Sequence, residues 1–407
     1  CSGYHYSDST LLGFSHTHLS GTGCIDWGDI LVYPSSRELS PDGTADWMPP
    51  HPFSHEREEA MPGYYRVELP AEGIEAELTV TPYTGVHRYT FERGGEVSIV
   101  VDLAHALSDD KIKEARMERT GDNEIRGGRN TSGWVDNQHI YFIARFSRPF
   151  HSLRWVKEGK TVDSVDSITG ERLQVIATFR LLPKESVEMY VGLSCVSEEN
   201  ARDNLEYDFT GDGFDHFRRE AEQRWRQVLS RMQVKGGTSD ECANFYTALY
   251  HSFLTPNLVS DANGDYRRHD MKTGKVDGRR KQYSTFSLWD TFRAWHPLMT
   301  LLDTTLVGDM VNSMLDIYDV TGELPIWSLS SGETNTMIGY HAVSVIADAY
   351  LKGIRGFDAR QALEAMTRSA EKNAKGAAYY TRYGFIPSDL RRESVSCLLE
   401  FAYDDWC

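Results

Sequence analysis

The chain has 407 residues, which is long for one compact core and favours two domains. Hydrophobic residues make up 40% of it and aromatic residues 12%, as expected of a well-packed globular protein. The formal net charge of −17 disfavours nucleic acid and anionic membranes as partners, because both attract patches of Lys and Arg. No apolar run approaches the roughly 20 residues of a membrane span, so we expect no membrane insertion.

Neither the first nor the last residues have the sequence pattern expected at a natural chain terminus. The first residue is Cys1 rather than Met, no signal peptide precedes it, and aromatic residues follow almost at once. The last residues, from Phe401 to Cys407, continue an apolar helical pattern without a cap or a Gly or Pro stop. We therefore expect this chain to be a piece of a longer protein.

The segment from Gly13 to Gly23 is rich in glycine, hydroxyl and imidazole groups. His16 and His18 point the same way if the segment is extended, so together they could hold a metal ion or a polar ligand. The alternative is a glycine-rich loop in which each His binds a backbone carbonyl, and for metal binding alone this alternative is favoured. The glycines indicate that the backbone approaches something closely.

From about residue 64 to 196 the pattern predicts β-structure. Short runs alternate polar and apolar residues and are broken by Gly, Pro and charged turns. The runs are Tyr65–Leu69, Ala76–Thr81, Val97–Leu103, His139–Phe146, Leu173–Phe179 and Val187–Cys195. Because no helix separates them, we predict an antiparallel β-sandwich over residues 1–197.

At Glu198 the period changes to that of a helix. Residues 198–236 are expected to form a helical linker with one apolar stripe, made of Phe214, Phe217, Ala221, Trp225, Val228 and Met232. Residues 237–407 read as helical throughout. Their apolar stripes are Cys242–Phe253, Leu306–Tyr318, Met337–Leu351, Ala359–Ala370 and Val395 onward. Alternating apolar and charged helices predict an α/α toroid.

One short segment, Asp261–Asp265, looks superficially like a calcium loop. It fails as an EF-hand because its glycine falls one position early and its twelfth position is Lys272. We expect an Asn-Gly hairpin turn at the toroid rim instead.

The stretch from Tyr283 to Pro297 is the strongest candidate for a binding site. Phe286, Trp289 and Trp295 could bound an apolar pocket, and Asp290, Arg293 and His296 are interleaved with them. Aromatic faces stack on sugar rings while fixed charges bind hydroxyl groups. The alternative is a buried helix start with a surface ion pair between Asp290 and Arg293.

A third stretch, Gly332–His341, runs into a predicted helix that carries Asp348. Glu333 and Asn335 should lie at the toroid mouth, just ahead of that helix. His341 and Asp348 would share one helix face about 10 Å apart, too far to touch. Either a ligand-facing role or a buried, hydrogen-bonded role fits these two residues.

Five motifs together resemble glycoside hydrolase family 92, the calcium-dependent, exo-acting α-mannosidases of bacteria. They are C-S-G-Y-H-Y-S-D, G-F-S-H-T-H-L-S-G-T-G, L-W-D-T-F-R-A-W-H-P-L, M-I-G-Y-H-A-V-S-V-I-A-D-A-Y and E-F-A-Y-D-D-W. The resemblance implies a β-sandwich joined by a helical linker to an (α/α)6 domain, with calcium as cofactor and periplasmic or extracellular location. It also implies that mannose is bound at the domain interface and hydrolysed with inversion.

The resemblance places Trp289 and Asp290 on the family's sugar-binding W-D, and it makes the His16/His18 loop reach across from the sandwich. The expected substrate-binding residues are Trp289, Asp290, Arg293, His16, His18, Glu333, Asn335 and His341. The metal ligands are not assigned.

Inversion needs a carboxylic acid and a carboxylate roughly 6.5–9.5 Å apart. The family's catalytic motifs are expected C-terminal to Cys407, so neither role is assigned to Asp290, Glu333, Asp404 or Asp405, and the fragment itself is expected to be inactive.

Two alternatives stay open. One is an (α/α)6 glucosidase of the trehalase or glucoamylase kind, with Glu333 or Asp405 as acid and no calcium. The other is a non-catalytic carbohydrate-binding protein that retains Trp289 and Asp290.

Overall fold

A computed structural model describes residues 3–44, 47–107, 110–163, 166–372 and 375–407. Its contacts divide the chain into two compact units. Unit 1 comprises Cys1–Ser230 and Asp261–Asn263, and unit 2 comprises Arg231–Ser260 and Gly264–Cys407.

The described part of unit 1 is mainly β-structure. Its strands are β1 Thr10–Leu11, β2 Leu31–Ser35, β3 His51–Pro52, β4 Glu58–Met61, β5 Tyr64–Leu69, β6 Ile74–Val80, β7 Thr84–Phe91, β8 Gly95–Asp102, β9 Lys111–Arg119, β10 Glu124–Ser132, β11 Gln138–Phe146, β12 Ser152–Lys157, β13 Lys160–Val162, β14 Ser167–Gly170, β15 Leu173–Leu181 and β16 Glu185–Ser194. A short 3-10 helix covers His55–Arg57. All six strands expected from the sequence are present.

Two antiparallel sheets form the body of unit 1. Among the described strands, the larger sheet has the order β14-β9-β10-β11-β16-β7-β6-β5-β4 and the smaller has β13-β12-β15-β8-β2. Their inner faces share one core, to which the larger sheet contributes Met117 and Phe142 and the smaller contributes Val101 and Val175. The predicted antiparallel sandwich is confirmed.

The pleat explains which side chains enter this core. In β9, Ala115 and Met117 are buried while Glu114 and Arg116 are exposed, as strand alternation requires. A bulge beside Asn130 leaves one extra residue in β9 and shifts the alternation by one position.

Two helices, α1 Glu198–Asp208 and α2 Phe214–Leu229, follow the sheets and group with them in unit 1. Phe214 and Phe217 pack with Tyr64, Val86 and Tyr190 of the larger sheet. The apolar stripe is shorter than predicted. Only its first three members are buried, since α2 ends at Leu229 and the residues from Trp225 onward are partly exposed.

The segment Asp261–Asn263 belongs to unit 1 by its hydrogen bonds. The buried Asp261 carboxylate accepts from the Ser194 hydroxyl at 2.8 Å and from the amides of Asn200 at 2.8 Å and Asn204 at 2.7 Å. Ala262 and Asn263 do form a turn, but the predicted Asn-Gly hairpin is wrong. The strands on either side of this turn pair with other strands.

Unit 2 is helical with short strand pairs. Its elements are α3 Ser239–His251, β17 Asn257–Leu258, β18 Asp265–Arg267, β19 Thr273–Lys275, β20 Tyr283–Ser284, β21 Phe286–Ser287, α4 Leu288–Thr291, α5 Trp295–Leu302, α6 Thr304–Thr321, β22 Trp327–Leu329, β23 Gly332–Glu333, α7 Ala342–Leu351, α8 Ala359–Lys372, α9 Ala377–Tyr383 and α10 Ser394–Trp406. The order of a β-rich part followed by a helical part is as predicted.

Helix α6 is the centre of the unit 2 core. Its apolar face, including Met310 and Met314, packs with residues of α7 such as Ile346 and with Phe401 of α10. By contrast, the stripe predicted for α3 is mostly half-buried, and only Leu249 is fully buried.

The predicted helix start at Met337 is wrong. Helix α7 begins at Ala342, because Asn335, Met337 and Gly339 have backbone φ angles of 54°, 68° and 79°, which a right-handed helix cannot contain. The expectation that unit 2 is helical throughout also missed the short strands β17 to β23, which are too short to show a period of two.

Candidate active site

The stretch around Trp289 divides its aromatic rings between the core and the surface. Phe286 is buried in the unit 2 core, and the Trp295 indole donates to the Ser252 carbonyl at 2.7 Å. Only Trp289, half-buried on the short helix α4, retains the predicted place beside the polar groups. The expectation that all three rings line one pocket is therefore wrong for Phe286.

Asp290 is exposed and accepts a hydrogen bond from the Ser287 hydroxyl. The alternative of an ion pair with Arg293 is not what the structure shows. Arg293 donates instead to Glu400 at 2.8 Å, and its guanidinium lies 5.2 Å from the Trp289 ring centre and 4.6 Å from that of Phe292. Asp290 thus keeps a carboxylate in solvent that a ligand can reach.

Glu400 on α10 joins these residues and was missed in the sequence analysis. One carboxylate oxygen accepts from the Trp289 indole at 3.3 Å and from Arg293, and the other lies 3.3 Å from His341 Nε2. Glu400 is the first letter of the E-F-A-Y-D-D-W motif, yet its partners are more than 50 residues away in sequence. We call Trp289, Arg293, His341, Glu400 and Asp404 the Glu400 cluster.

His341 is buried between two carboxylates. Its Nδ1 lies 2.9 Å from Asp404, its Nε2 faces Glu400, and its ring stacks on Phe292 with centres 3.8 Å apart. Both ring nitrogens therefore have acidic partners within unit 2. Asp348, predicted on the same helix face, is at the surface, where it binds Lys352 at 2.7 Å.

The two aspartates of α10 are both engaged. Asp404 also accepts from the Tyr340 backbone amide at 2.9 Å, while Asp405 accepts from the Tyr340 hydroxyl at 2.6 Å. Burial raises the pKa of Asp404, and its hydrogen bond to His341 opposes that rise. These contacts give both carboxylates a structural role.

Glu333 ends the third strand of a small sheet, β23, and Asn335 follows two residues later. Strands β21 and β23 are each antiparallel to β22, so they run parallel to one another and leave the sheet at its Trp327 end. The segment that carries Trp289 and Asp290 and the segment that carries Asn335 therefore emerge from the same end. Gly339, further along, lies against the His341 ring, where a Cβ atom would be only 2.4 Å from Nε2.

His16 lies in unit 1, in a chain of buried hydrogen bonds. Its Nδ1 is 2.8 Å from the Ile30 carbonyl, which only accepts, so Nδ1 carries the proton. Its Nε2 then accepts from His87 Nε2 at 2.9 Å, and His87 Nδ1 accepts from the Tyr89 hydroxyl at 2.8 Å. This assignment leaves both imidazoles neutral. Burial lowers the pKa of His16 to about 4.

His18 is in the same loop of unit 1 and contacts the Ser15 hydroxyl at 2.8 Å. The His18 side chain is exposed. Asp29 is buried and pairs with Arg129 at 2.7 Å. Gly3 lies so close that a Cβ atom there would be 3.1 Å from the His18 ring. Within the segment from Gly13 to Gly23, the expected close approach is present at Gly13, where a Cβ atom would be 2.7 Å from the Val32 carbonyl oxygen, and absent at Gly21 and Gly23.

Calcium was expected from the family resemblance. Within the described ranges, no group of three or more His, Cys, Asp or Glu side chains is arranged to hold a metal ion. The carboxylates of the Glu400 cluster are turned toward Arg293, His341 and the Tyr340 amide rather than toward one shared point. No calcium ligand is therefore assigned among these carboxylates.

An exposed carboxylate, an aromatic ring and a fixed guanidinium on one short stretch suit a small polar ligand with apolar faces. The comparisons name the family. The glycosyl hydrolase family 92 N-terminal domain matches residues 1–194, and the family's catalytic domain matches residues 200–407. The chain belongs to glycosyl hydrolase family 92.

Solved structures of this family are similar over the whole chain. An α-mannosidase from Bacteroides thetaiotaomicron, solved with mannoimidazole, is 37% identical with a TM-score of 0.95, and the match covers 100% of this chain and 55% of that one. An inverting mannosidase of the same bacterium is 28% identical with a TM-score of 0.89, covering 99% and 55%.

A curated relative extends the comparison. A protein of Arthroderma benhamiae described as an uncharacterized secreted glycosidase is 25% identical over 100% of this chain and 54% of its own length. The chain thus spans about half the length of these relatives. No helix in the described residues has both the length and the apolar composition of a membrane span.

Proposed function

We propose that the protein containing this chain releases mannose from the non-reducing ends of α-mannosides of the N-glycan or mannan type. The reaction inverts the anomeric configuration, requires calcium and takes place in the periplasm or outside the cell. The observation that carries the proposal is the 37% identity to an α-mannosidase along the entire chain. The inverting mannosidase and the secreted glycosidase among the relatives support the stereochemistry and the location.

In this proposal the Glu400 cluster holds the sugar-binding surface. Asp290 binds sugar hydroxyl groups through its exposed carboxylate, and Trp289 forms an apolar wall beside it. Arg293 is fixed by Glu400 and by its contacts with two aromatic rings, so its remaining N–H groups are oriented before a ligand arrives. These residues bind and orient the sugar, and no catalytic acid or base is assigned among them.

The glucosidase alternative is less well supported. Its candidate acids would be Glu333 or Asp405, and both have other partners. The Glu333 carboxylate accepts three backbone amides, and Asp405 accepts the Tyr340 hydroxyl. A general acid must instead present its proton to a leaving oxygen.

Calcium dependence rests on the family resemblance alone. Since the described residues form no metal-binding group, no side chain of this chain is assigned as a ligand. A calcium ion bound elsewhere in the full-length protein would bind oxygen ligands such as carboxylates, carbonyls and hydroxyl groups.

The test uses the full-length protein with α-mannosides and α-glucosides of matched aglycone. We expect mannose release, with the β-anomer as first product by NMR, loss of activity in EDTA and recovery when calcium is restored. Release of glucose, or full activity in EDTA, contradicts the proposal. Sugar binding without turnover under any of these conditions would favour the non-catalytic alternative.

A further inference from the structure

Residues 330–339, which we call the 330–339 loop, have an unusual backbone. Three of its non-glycine residues have left-handed φ angles, namely Ser330 at 53°, Asn335 at 54° and Met337 at 68°. Ser330 begins the two-residue turn between β22 and β23, where such an angle is expected. Asn335 and Met337 lie beyond the hairpin. Their conformation is unfavourable for residues with a Cβ atom, so the surrounding structure must hold it.

Two charged side chains hold the loop from inside. The Glu333 carboxylate accepts the backbone amides of Ile326 at 3.0 Å, Trp327 at 2.9 Å and Asn335 at 2.8 Å. The buried Lys375 ammonium donates to the Met337 carbonyl. Glu333 thus holds the backbone on both sides of itself, and Lys375 holds the loop at Met337. A carboxylate with three amide donors has little capacity left for a sugar hydroxyl.

The strained residues point their side chains outward. Asn335 is exposed, and Met337 is 45% exposed although it is apolar. Because neither side chain packs in the core, core packing does not explain why these two residues keep an unfavourable backbone conformation. The loop leaves its sheet at the same end as the segment of Asp290, and Gly339 then packs against His341 of the Glu400 cluster.

We propose that the 330–339 loop is a preorganised sugar-binding loop in which Asn335 binds a hydroxyl group, Met337 contacts the apolar face of the sugar and Glu333 is a positioning residue. The proposal rests on the proposed function for the identity of the ligand. It corrects the expectation that Glu333 itself binds substrate. The strain and its supports make the loop rigid before binding, which lowers the entropy lost when the ligand binds.

The experiment compares four variants of the full-length protein. Asn335→Asp keeps the tolerance for a left-handed backbone but removes the amide donor, and Asn335→Gly removes the side chain. Glu333→Gln keeps the shape and removes the charge, with Glu333→Asp as a second variant if the first does not fold. Lys184→Gly is the matched control, since it relaxes an exposed left-handed residue in the turn between β15 and β16 of unit 1, outside the 330–339 loop.

Two measurements, KM and the rate of amide exchange, distinguish a residue that contacts the sugar from one that positions the loop. Both Asn335 variants should raise KM for an α-mannoside about fivefold, the value of one neutral hydrogen bond, with amide exchange of residues 326–340 unchanged. Glu333→Gln should raise KM and also speed exchange at Ile326, Trp327 and Asn335. The control should change neither.

Several outcomes overturn the proposal. Unchanged kinetics in both Asn335 variants would exclude the sugar contact, and a large loss of kcat in Glu333→Gln with unchanged exchange would make Glu333 a direct participant. If the wild type cleaves no mannoside, the proposed function fails first. Amide exchange then still decides the role of Glu333, and saturation-transfer NMR with mannose and glucose decides that of Asn335. Binding of neither sugar would reject the loop as a sugar site.

Discussion

Arg293 donates to Glu400 across 2.8 Å, although Asp290 stands only three residues before it in the sequence. The shorter sequence separation suggested the pair Asp290 and Arg293, but the fold brings α10 to the guanidinium instead. Because Glu400 is largely shielded, with a side-chain exposure of 17%, this contact is screened less than a surface pair would be. Asp290 is left for a ligand.

Replacing Asp290 should affect binding far more than stability. Charge-assisted hydrogen bonds contribute roughly 1.5–3 kcal/mol each, so Asp290→Ala in the full-length enzyme should lower kcat/KM at least about tenfold. Steady-state kinetics on an α-mannoside measure this. Asp348→Ala, which removes a partly exposed carboxylate of unit 2 that pairs with Lys352, is the control and should have little effect. Equal kinetics for wild type and a folded Asp290→Ala would remove Asp290 from the binding site.

Replacing Glu400 should disturb three partners at once. Glu400→Ala leaves the Trp289 indole and Arg293 without their shared acceptor and removes the carboxylate that faces His341 Nε2. We expect a lower melting temperature together with about a tenfold or larger loss in kcat/KM. Glu400→Gln keeps one acceptor oxygen and should recover part of both. Glu364→Ala, at an exposed position of α8, serves as control. A Glu400→Ala protein with wild-type kinetics would show that the cluster is not part of the active site.

Buried histidines should make the protein less stable in mild acid. Burial lowers the pKa of His16 to about 4 and that of His296 to about 3, whereas in the unfolded chain a histidine titrates near 6.5. Below pH 6.5 these histidines bind protons in the unfolded chain, whereas in the folded chain they stay neutral until a lower pH. Each such histidine therefore removes about 1.4 kcal/mol of stability per pH unit until its folded pKa is reached, and none above pH 6.5. Asp102 acts in the opposite direction, since burial raises its pKa to about 6.

Urea unfolding at pH 7.5 and pH 5 measures the net effect. His296 Nδ1 has no hydrogen-bond partner among the described residues, so His296→Leu removes a titrating group at little hydrogen-bonding cost. This variant should lose less stability than the wild type between the two pH values. His5→Leu, at an exposed site, is the control. A wild type equally stable at both pH values would contradict the prediction.

Asp261 should be important for the stability of unit 1. Asp261→Ala removes the acceptor that the buried donors of Ser194, Asn200 and Asn204 share, at a cost on the order of 3 kcal/mol. Thermal melting should show this loss in the transition of unit 1. Asp122→Ala, which removes a carboxylate that is 87% exposed, should leave that transition in place. An unchanged melting curve for Asp261→Ala would mean that the segment is not held by these bonds.

The sequence allowed the strands to be predicted because their information is local. Alternation along β5 and β6 is visible within a few residues, and so are the short apolar runs of β8 and β15 and the helical spacing of α6 and α8. Trp289 and Asp290 were identified because aromatic and charged groups lie side by side in the sequence. Such patterns require no knowledge of what the segment packs against.

The features that were missed depend on distant partners. Glu400 and Trp289 are 111 residues apart in sequence, and no local pattern around Glu400 indicates that the two are in contact. Helix α7 begins late because Glu333 and Lys375 hold the preceding loop in left-handed conformations, and a helical apolar pattern does not reveal them. The hairpin at Asn263 was wrong because Asp261 is bound to unit 1.

The short segment Asp261–Asn263 also determines how many times the chain passes between the two units. The polypeptide passes from unit 1 to unit 2 after Ser230, returns at Asp261 and leaves again at Gly264. A single cleavage after Ser230 would therefore not release unit 1 intact, because three of its residues would remain on the other piece. Neither unit is one continuous segment of the sequence. A duplication, fusion or exchange of either unit alone would therefore have to cut the chain on both sides of Asp261–Asn263.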